Sequence, residues 1–252
     1  MFPSLSRPVI FAHRGASASA PENTLPAFDL AAQQGAKAIE LDVQLTADLE
    51  VVVIHDLTLD RTTDGSGRVR DHSLAELKQL IVSSPDLSLS PAAEIPTLKE
   101  VLDRLPSEIL INVELKNLAT PFDSLAEITA EQISSSQAQR RVLISSFNPH
   151  SLGQFRRILP DVPLGRLLYS PLMIQAYQLL PCLTKNFQSI HLPYHSLSRD
   201  LVDTFQQRGL WVFAYTVNRP QDILRTIELG ADGFFTDRPH TAFELLQDFP
   251  LQ

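Results

Sequence analysis

The chain is poor in cysteine, in positive charge and in long apolar runs. A single cysteine, Cys182, stands among 252 residues, so no disulfide can form within the chain, which fits a reducing compartment. Lysine and arginine number 21 against 29 aspartates and glutamates, a formal net charge of −8. That balance argues against general binding to nucleic acid or to an anionic membrane surface, but allows a local basic pocket. No apolar run is long enough to span a bilayer. The stretch 1–8 lacks the apolar core of a secretory signal and runs straight into a strand-like segment. The expected location is cytoplasmic, with no nucleic-acid partner and no stable membrane insertion. No pattern encodes an oligomeric state.

What the chain does have is rhythm. With 44% hydrophobic and 20% charged residues it has a soluble globular composition and ample length for one core. Residues 9–12 read as a strand. Thr24 opens a helix to about 34, with Pro26 in its first turn and Gly35 closing it. Residues 38–43 form the next strand, and 51–54 its neighbour or extension. The rhythm then breaks over 57–94. That stretch is polar, with turn signals at Asp64-Gly65-Ser66-Gly67 and one short helix over 74–81 behind the capping-box pattern Ser73-Leu74-Ala75-Glu76. Residues 83–93 read as loop.

Helix-like and strand-like segments alternate again from 98–105 and 109–115 to a last helix over 241–247. The intervening pairs are 125–134 with 142–145, 151–159 with 164–168, 172–180 with 189–192, 201–207 with 211–216, and 222–229 with 233–235. Roughly eight strand–helix units make a (β/α)₈ barrel the natural fold, an α/β architecture in one domain over 1–252 with a small insertion after the second strand region. An open doubly wound sheet is the alternative.

In such barrels the site lies where strands end. His13, Arg14, Glu40, Asp42, His55, Glu114 and Lys116 all fall at predicted C-terminal strand ends. Residues two apart on an extended strand share a face, so Glu40 and Asp42 point together, as do Glu114 and Lys116. Three carboxylates in one mouth would repel unless a cation sat among them, and oxygen ligands suit Mg²⁺ or Ca²⁺. Any one of these residues is ordinarily structural; their coincidence at equivalent positions points to acid–base chemistry on an anion. His191 ends a later strand and is a candidate for the mouth. His72, His150 and His240 have no assigned role. Asn23 and Thr24 read as helix caps with Glu22 a buttress behind His13, and Thr236 or Asp237 as the cap of the last helix.

The motifs His13-Arg14-Gly15, Pro21-Glu22-Asn23-Thr24, Glu40-Leu41-Asp42-Val43, His55-Asp56 and Arg61-Thr62-Thr63 occur in order. Ile95-Pro96-Thr97-Leu98, Glu114-Leu115-Lys116, Thr216-Val217-Asn218 and the stretch from Asp232 to Pro239 follow. In this order and spacing the chain resembles the glycerophosphodiester phosphodiesterases, phospholipase C-like TIM barrels, over nearly its whole length. The resemblance implies hydrolysis of glycerophosphodiesters to sn-glycerol 3-phosphate and an alcohol. It implies His13 and His55 as general base and acid, with His13 the preferred base. It further implies one divalent cation on Glu40, Asp42 and Glu114, and phosphate binding by Arg14 and Lys116. It also implies a route through a cyclic phosphate, although direct attack by water fits the residues equally.

Tyr215 stands where many relatives carry tryptophan, and its ring is expected to wall the substrate site. Leu49 replaces a common glycine in a surface turn. The alternatives are a lysophospholipase D acting on an acylated substrate and a non-catalytic barrel that binds phosphodiesters.

Overall fold

The computed structural model describes residues 6–83 and 93–247. Strand β1 (Val9–His13) leads to helix α1 (Leu25–Gln33), β2 (Ala38–Leu45), β3 (Val51–Val53), α2 (Leu74–Leu77) and α3 (Leu98–Arg104). Then come β4 (Leu110–Leu115), α4 (Leu125–Ser135), β5 (Val142–Ser146), α5 (Pro149–Ile158), β6 (Leu164–Leu167) and α6 (Pro171–Leu179). The chain continues through β7 (Ser189–Pro193), α7 (Arg199–Gln206), β8 (Trp211–Tyr215), α8 (Pro220–Glu228), β9 (Gly233–Thr236) and α9 (Pro239–Gln247).

The strands run in the order β1-β9-β8-β7-β6-β5-β4-β2, and β1 also pairs with β2. That last pairing closes the sheet, so the fold is a TIM barrel and not the open alternative. All eight barrel strands are parallel to their neighbours. β3 is a ninth strand, antiparallel to β2, with Val43 opposite Val53. The 51–54 segment is therefore a neighbour of the second strand and not its extension.

Alternate residues of each strand face the barrel axis. Phe11 stacks on Phe235 with centroids 4.6 Å apart and meets Phe213 edge-on at 5.1 Å. These rings, with Val9, Ala38 and Leu143, fill the lower interior. The outward residues of the strands pack under the helices in two large clusters, around Phe28 and Phe155 on one side and Phe205 and Phe234 on the other. The polar ends one or two residues above the aromatic layer are thus held on a solid plug.

Between β3 and α3 a small cluster of Val52, Leu59, Val69, Leu77 and Ile95 packs beside the barrel. Helix α2 carries the expected capping box, with the Ser73 side chain accepting from the Glu76 N–H. It ends at Leu77, short of 81. The Ile81 N–H donates to Asp64 Oδ1 at 2.8 Å, and Asp64 N–H to the Ile81 carbonyl at 3.2 Å. The turn at Asp64 therefore captures the backbone that a longer helix would need. Of the loop expected over 83–93, residues 84–92 lie outside the described residues.

Candidate active site

Strand register assembles the acidic group. β1 pairs with β2 so that His13 is opposite Glu40, and β2 pairs with β4 so that Asp42 is opposite Glu114. All four side chains point inward by the two-residue alternation of a strand. Glu40, Asp42 and Glu114 are buried, with one carboxylate oxygen from each within 4.8 Å of the others. Burial, then the two neighbouring carboxylates, push Glu40 well above its ordinary pKa. Burial and Asp42 likewise push Glu114 up against the pull of Lys116. Asp42 goes the other way. Burial would raise it, but Arg14, Lys116 and the Asn23 hydrogen bond hold it at about 2.

Two cations face the three acids. Arg14 Nε lies 3.2 Å from Asp42 Oδ2, and the Arg14 backbone N–H donates to Glu40 Oε2 at 3.0 Å. That amide is aimed inward because Arg14 has a φ of +57° and Gly15 a φ of +83°. A Cβ at Gly15 would lie 2.6 Å from the Ala27 backbone, so only glycine fits the turn. Lys116 Nζ donates to Glu114 Oε1 at 2.9 Å and lies 3.7 Å from Asp42 Oδ1.

Each histidine has its own carboxylate. His13 Nδ1 is 2.6 Å from Asp237 Oδ1, and His55 Nδ1 is 2.6 Å from Asp56 Oδ1. The remaining ring nitrogens face the acidic group: His13 Nε2 is 4.0 Å from Glu40 Oε2, and His55 Nε2 is 3.1 Å from Lys116 Nζ. Behind them runs a chain of ion pairs. Arg61 donates two bonds to Asp56 and two to Glu22, and Arg14 donates to Glu22 at 2.9 Å.

Every site residue expected from the sequence thus lies at this mouth: His13, His55, Arg14, Lys116, Glu40, Asp42, Glu114 and Tyr215. The Tyr215 ring lines the cavity, and its hydroxyl donates to the Leu168 carbonyl at 2.8 Å. His191 is not at the strand end. It is the third residue of β7, fully buried one layer below the rim, because β7 runs on to Pro193.

Three further residues were misread as caps or left out. Asn23 donates to Asp42 Oδ2 at 2.9 Å and accepts from the Asp42 N–H at 3.3 Å; Thr24 alone caps α1. Asp237 holds His13 and is held in turn by Asn218, while Thr236 Oγ1 accepts the Arg238 N–H. Arg61 bridges Asp56 and Glu22. The signal for Asn23 was its residue type next to a capping threonine, since asparagine tolerates a positive φ, here +57°.

The acidic group fits a metal. Its donors are all oxygens, Asp42 Oδ1 has no hydrogen-bond partner among the described residues, and three buried carboxylates face two cations. A divalent ion would relieve both the orphaned oxygen and the repulsion.

The family model for the glycerophosphoryl diester phosphodiesterase family matches residues 13–241. The chain belongs to that family. The enzyme is 37% identical over 95% of its length to a glycerophosphodiester phosphodiesterase of Caldanaerobacter subterraneus, covering 98% of that protein. It is 36% identical to one of Bacillus altitudinis, over 95% of this chain and 98% of the other. Among solved structures it resembles an Oleispira antarctica phosphodiesterase in complex with the product sn-glycerol-3-phosphate. The TM-score is 0.86 and the identity 30%, over 96% of this chain and 97% of that one. It also resembles the Thermotoga maritima glycerophosphodiester phosphodiesterase, with TM-score 0.76 and 29% identity over 96% and 99% of the two chains. The enzyme is therefore a phosphoric diester hydrolase of this family. Among the described residues no helix is long and apolar enough to cross a membrane.

Proposed function

We propose that the enzyme hydrolyses glycerophosphodiesters to sn-glycerol 3-phosphate and an alcohol, with His13 and His55 as its acid–base pair. One observation carries this reading. Two histidines, each fixed by its own carboxylate, flank a three-carboxylate group beside Arg14 and Lys116.

The hydrogen bonding favours His55 as the first base, the reverse of the preference read from the sequence. A lysine ammonium only donates, so Lys116 on His55 Nε2 requires that nitrogen to be unprotonated. Burial, together with Arg14 and Lys116, also lowers the His55 pKa, although Asp42 opposes them. His13 Nε2 faces an acceptor instead, Glu40 Oε2 at 4.0 Å, and so suits the complementary, proton-donating role. His55 Nε2 would take the proton from the glycerol hydroxyl beside the phosphorylated carbon as that oxygen attacks phosphorus. The bond from phosphorus to the alcohol oxygen would break, and His13 Nε2 would protonate that oxygen. In the second half His13 would take a proton from water as its oxygen attacks phosphorus, the bond from phosphorus to the glycerol oxygen that attacked first would break, and His55 would return its proton to that oxygen.

Glu40, Asp42 and Glu114 would hold one Mg²⁺ or Ca²⁺, which when bound would neutralise charge on the phosphoryl oxygens. Arg14 and Lys116 would bind the remaining phosphoryl oxygens and fix the in-line geometry. A coupled assay for glycerol 3-phosphate, run with and without chelator, tests the reading. His13→Ala and His55→Ala should each lose on the order of 10²–10⁴ in rate. Turnover by both variants at the parent rate would overturn the assignment.

A second reading, an acylated substrate, has one feature in its favour. Phe147 lines the cavity and meets Tyr169 at 5.7 Å, and Tyr169 and Leu172 lie 56% and 80% exposed at the rim. Choline release from a lysophospholipid, faster than from the deacylated compound, would select it.

A further inference from the structure

The cavity beneath the catalytic groups ends in a polar floor that the mechanism above does not use. It holds about 170 Å³, room for roughly five waters or one three-carbon polyol. Its upper wall is His13, Glu40, His55, Glu114 and Lys116; its lower wall includes Asn112, Ser145 and His191.

Asn112 and His191 are 1% and 0% exposed. Asn112 Nδ2 donates to Ser145 Oγ at 2.9 Å, which leaves Oδ1 with no partner among the described residues. His191 Nε2 lies 3.0 Å from Ser189 Oγ, and Nδ1 is likewise without one. Buried polar atoms are seldom left so, and here both belong to residues that line the same small cavity. The His191 ring is also closely seated. It packs on Phe213 and Phe235 at 5.4 and 5.1 Å, and a Cβ at Gly165 on the next strand would lie 2.5 Å from Nε2.

We propose that Asn112 and His191 bind the free terminal hydroxyl of the substrate's glycerol moiety and so make the enzyme prefer glyceryl over simpler alkyl phosphodiesters. This rests on the reading under Proposed function. The chemistry of the floor selects a neutral hydroxyl over a second phosphate. Burial holds His191 down to about 3, so the ring is uncharged at working pH, and an amide brings no charge either. The Ser189 hydroxyl can turn to accept from or donate to Nε2, so Nδ1 can serve as donor or acceptor. A hydroxyl offers both to such a pair.

The test compares two choline phosphodiesters, one of glycerol and one of propane-1,2-diol. The second keeps the hydroxyl beside the phosphorylated carbon and lacks only the terminal one. The parent should favour the glyceryl diester at least about tenfold in kcat/KM, because a site built for a hydroxyl rejects the analogue without it. In Asn112→Ala that ratio should fall to within about threefold of one. His191→Ala reads the same ratio should the first variant fail to fold. Equal kcat/KM in the parent, or an unchanged ratio in the folded variants, would mean that the floor holds ordered water only and would overturn the proposal. Failure of the parent on the glyceryl diester itself would instead remove the broader reading on which the proposal stands.

Discussion

The Nδ1 of His13 lies 2.6 Å from Oδ1 of Asp237, a residue 224 positions later in the chain. The contact exists because β1 and β9 are neighbours in the closed barrel, with Ala12 opposite Thr236. Asn218 Nδ2 and Ser17 Oγ donate to the same carboxylate, so its position is fixed from three sides.

Asp237→Asn should therefore slow the chemical step more than it weakens binding. A carboxylate that orients an imidazole and stabilises its charged form acts on the transition state, so kcat should fall on the order of 10–100-fold with KM within about twofold of the parent. Steady-state kinetics on a glycerophosphodiester check this. A rise in KM that accounts for the whole loss would count against an orienting role.

The same carboxylate gives the fold a pH dependence. Burial would raise Asp237, but His13 and Asn218 outweigh it and hold the group at about 2, against an ordinary 3.8. The folded chain then binds fewer protons here than the unfolded chain, so the contribution is complete above about pH 4 and is lost as pH falls toward 2. The side chain is 32% exposed, which limits the contribution to at most about 2 kcal/mol. Urea unfolding at pH 5 and pH 3 should show a smaller difference in Asp237→Asn than in the parent; equal differences would refute this.

Metal should stabilise as well as activate. Three buried carboxylates with oxygens within 4.8 Å of one another favour the state that holds a cation, and an ion at 100 times its Kd adds about 2.7 kcal/mol. For a chain of this size that is a rise in Tm of roughly 5 °C or more. Differential scanning calorimetry with Mg²⁺ or Ca²⁺ should show it in the parent and lose most of it in Glu114→Gln. A parent Tm indifferent to both ions would tell against the metal centre.

Asn23 should matter to the metal rather than to α1. It is 3% exposed and exchanges two hydrogen bonds with Asp42. Removal of a group that orients a ligand typically costs 10–100-fold in metal affinity, on the order of 1–3 kcal/mol. Asn23→Gly keeps the positive φ without strain, whereas Asn23→Ala adds backbone strain. Both should bind the ion more weakly in a calorimetric titration, and only the alanine variant should show the extra loss of Tm. Parent-like affinity in the glycine variant would assign Asn23 to the turn alone.

Much of this was legible because it is local. Strand periods, the Thr24 cap and the Ser73–Glu76 box are written within a few residues, and the chemistry-bearing side chains stand at strand ends where any barrel would gather them. The unread parts depend on a choice between partners. Asp237 next to Thr236 looks like a helix cap until β9 is known to lie against β1. Asn23 looks like one until β2 brings Asp42 to it. Arg61 needs Glu22, 39 residues away, to be more than a surface charge. His191 was misplaced by one layer because it was read as the strand end although the expected strand ran to 192, and no signal marks Pro193 as a further strand residue.

The bridge from Arg14 through Glu22 and Arg61 to Asp56 ties the start of the 57–94 insertion to the loop after β1. The insertion is thus not an exchangeable cassette at its N-terminal seam. A chimera that replaces it from residue 57 discards Arg61, and with it the link between the supports of the two histidines. A junction placed after Thr62 keeps that link, provided the replacement still packs on Val52 as Val69 and Leu77 do.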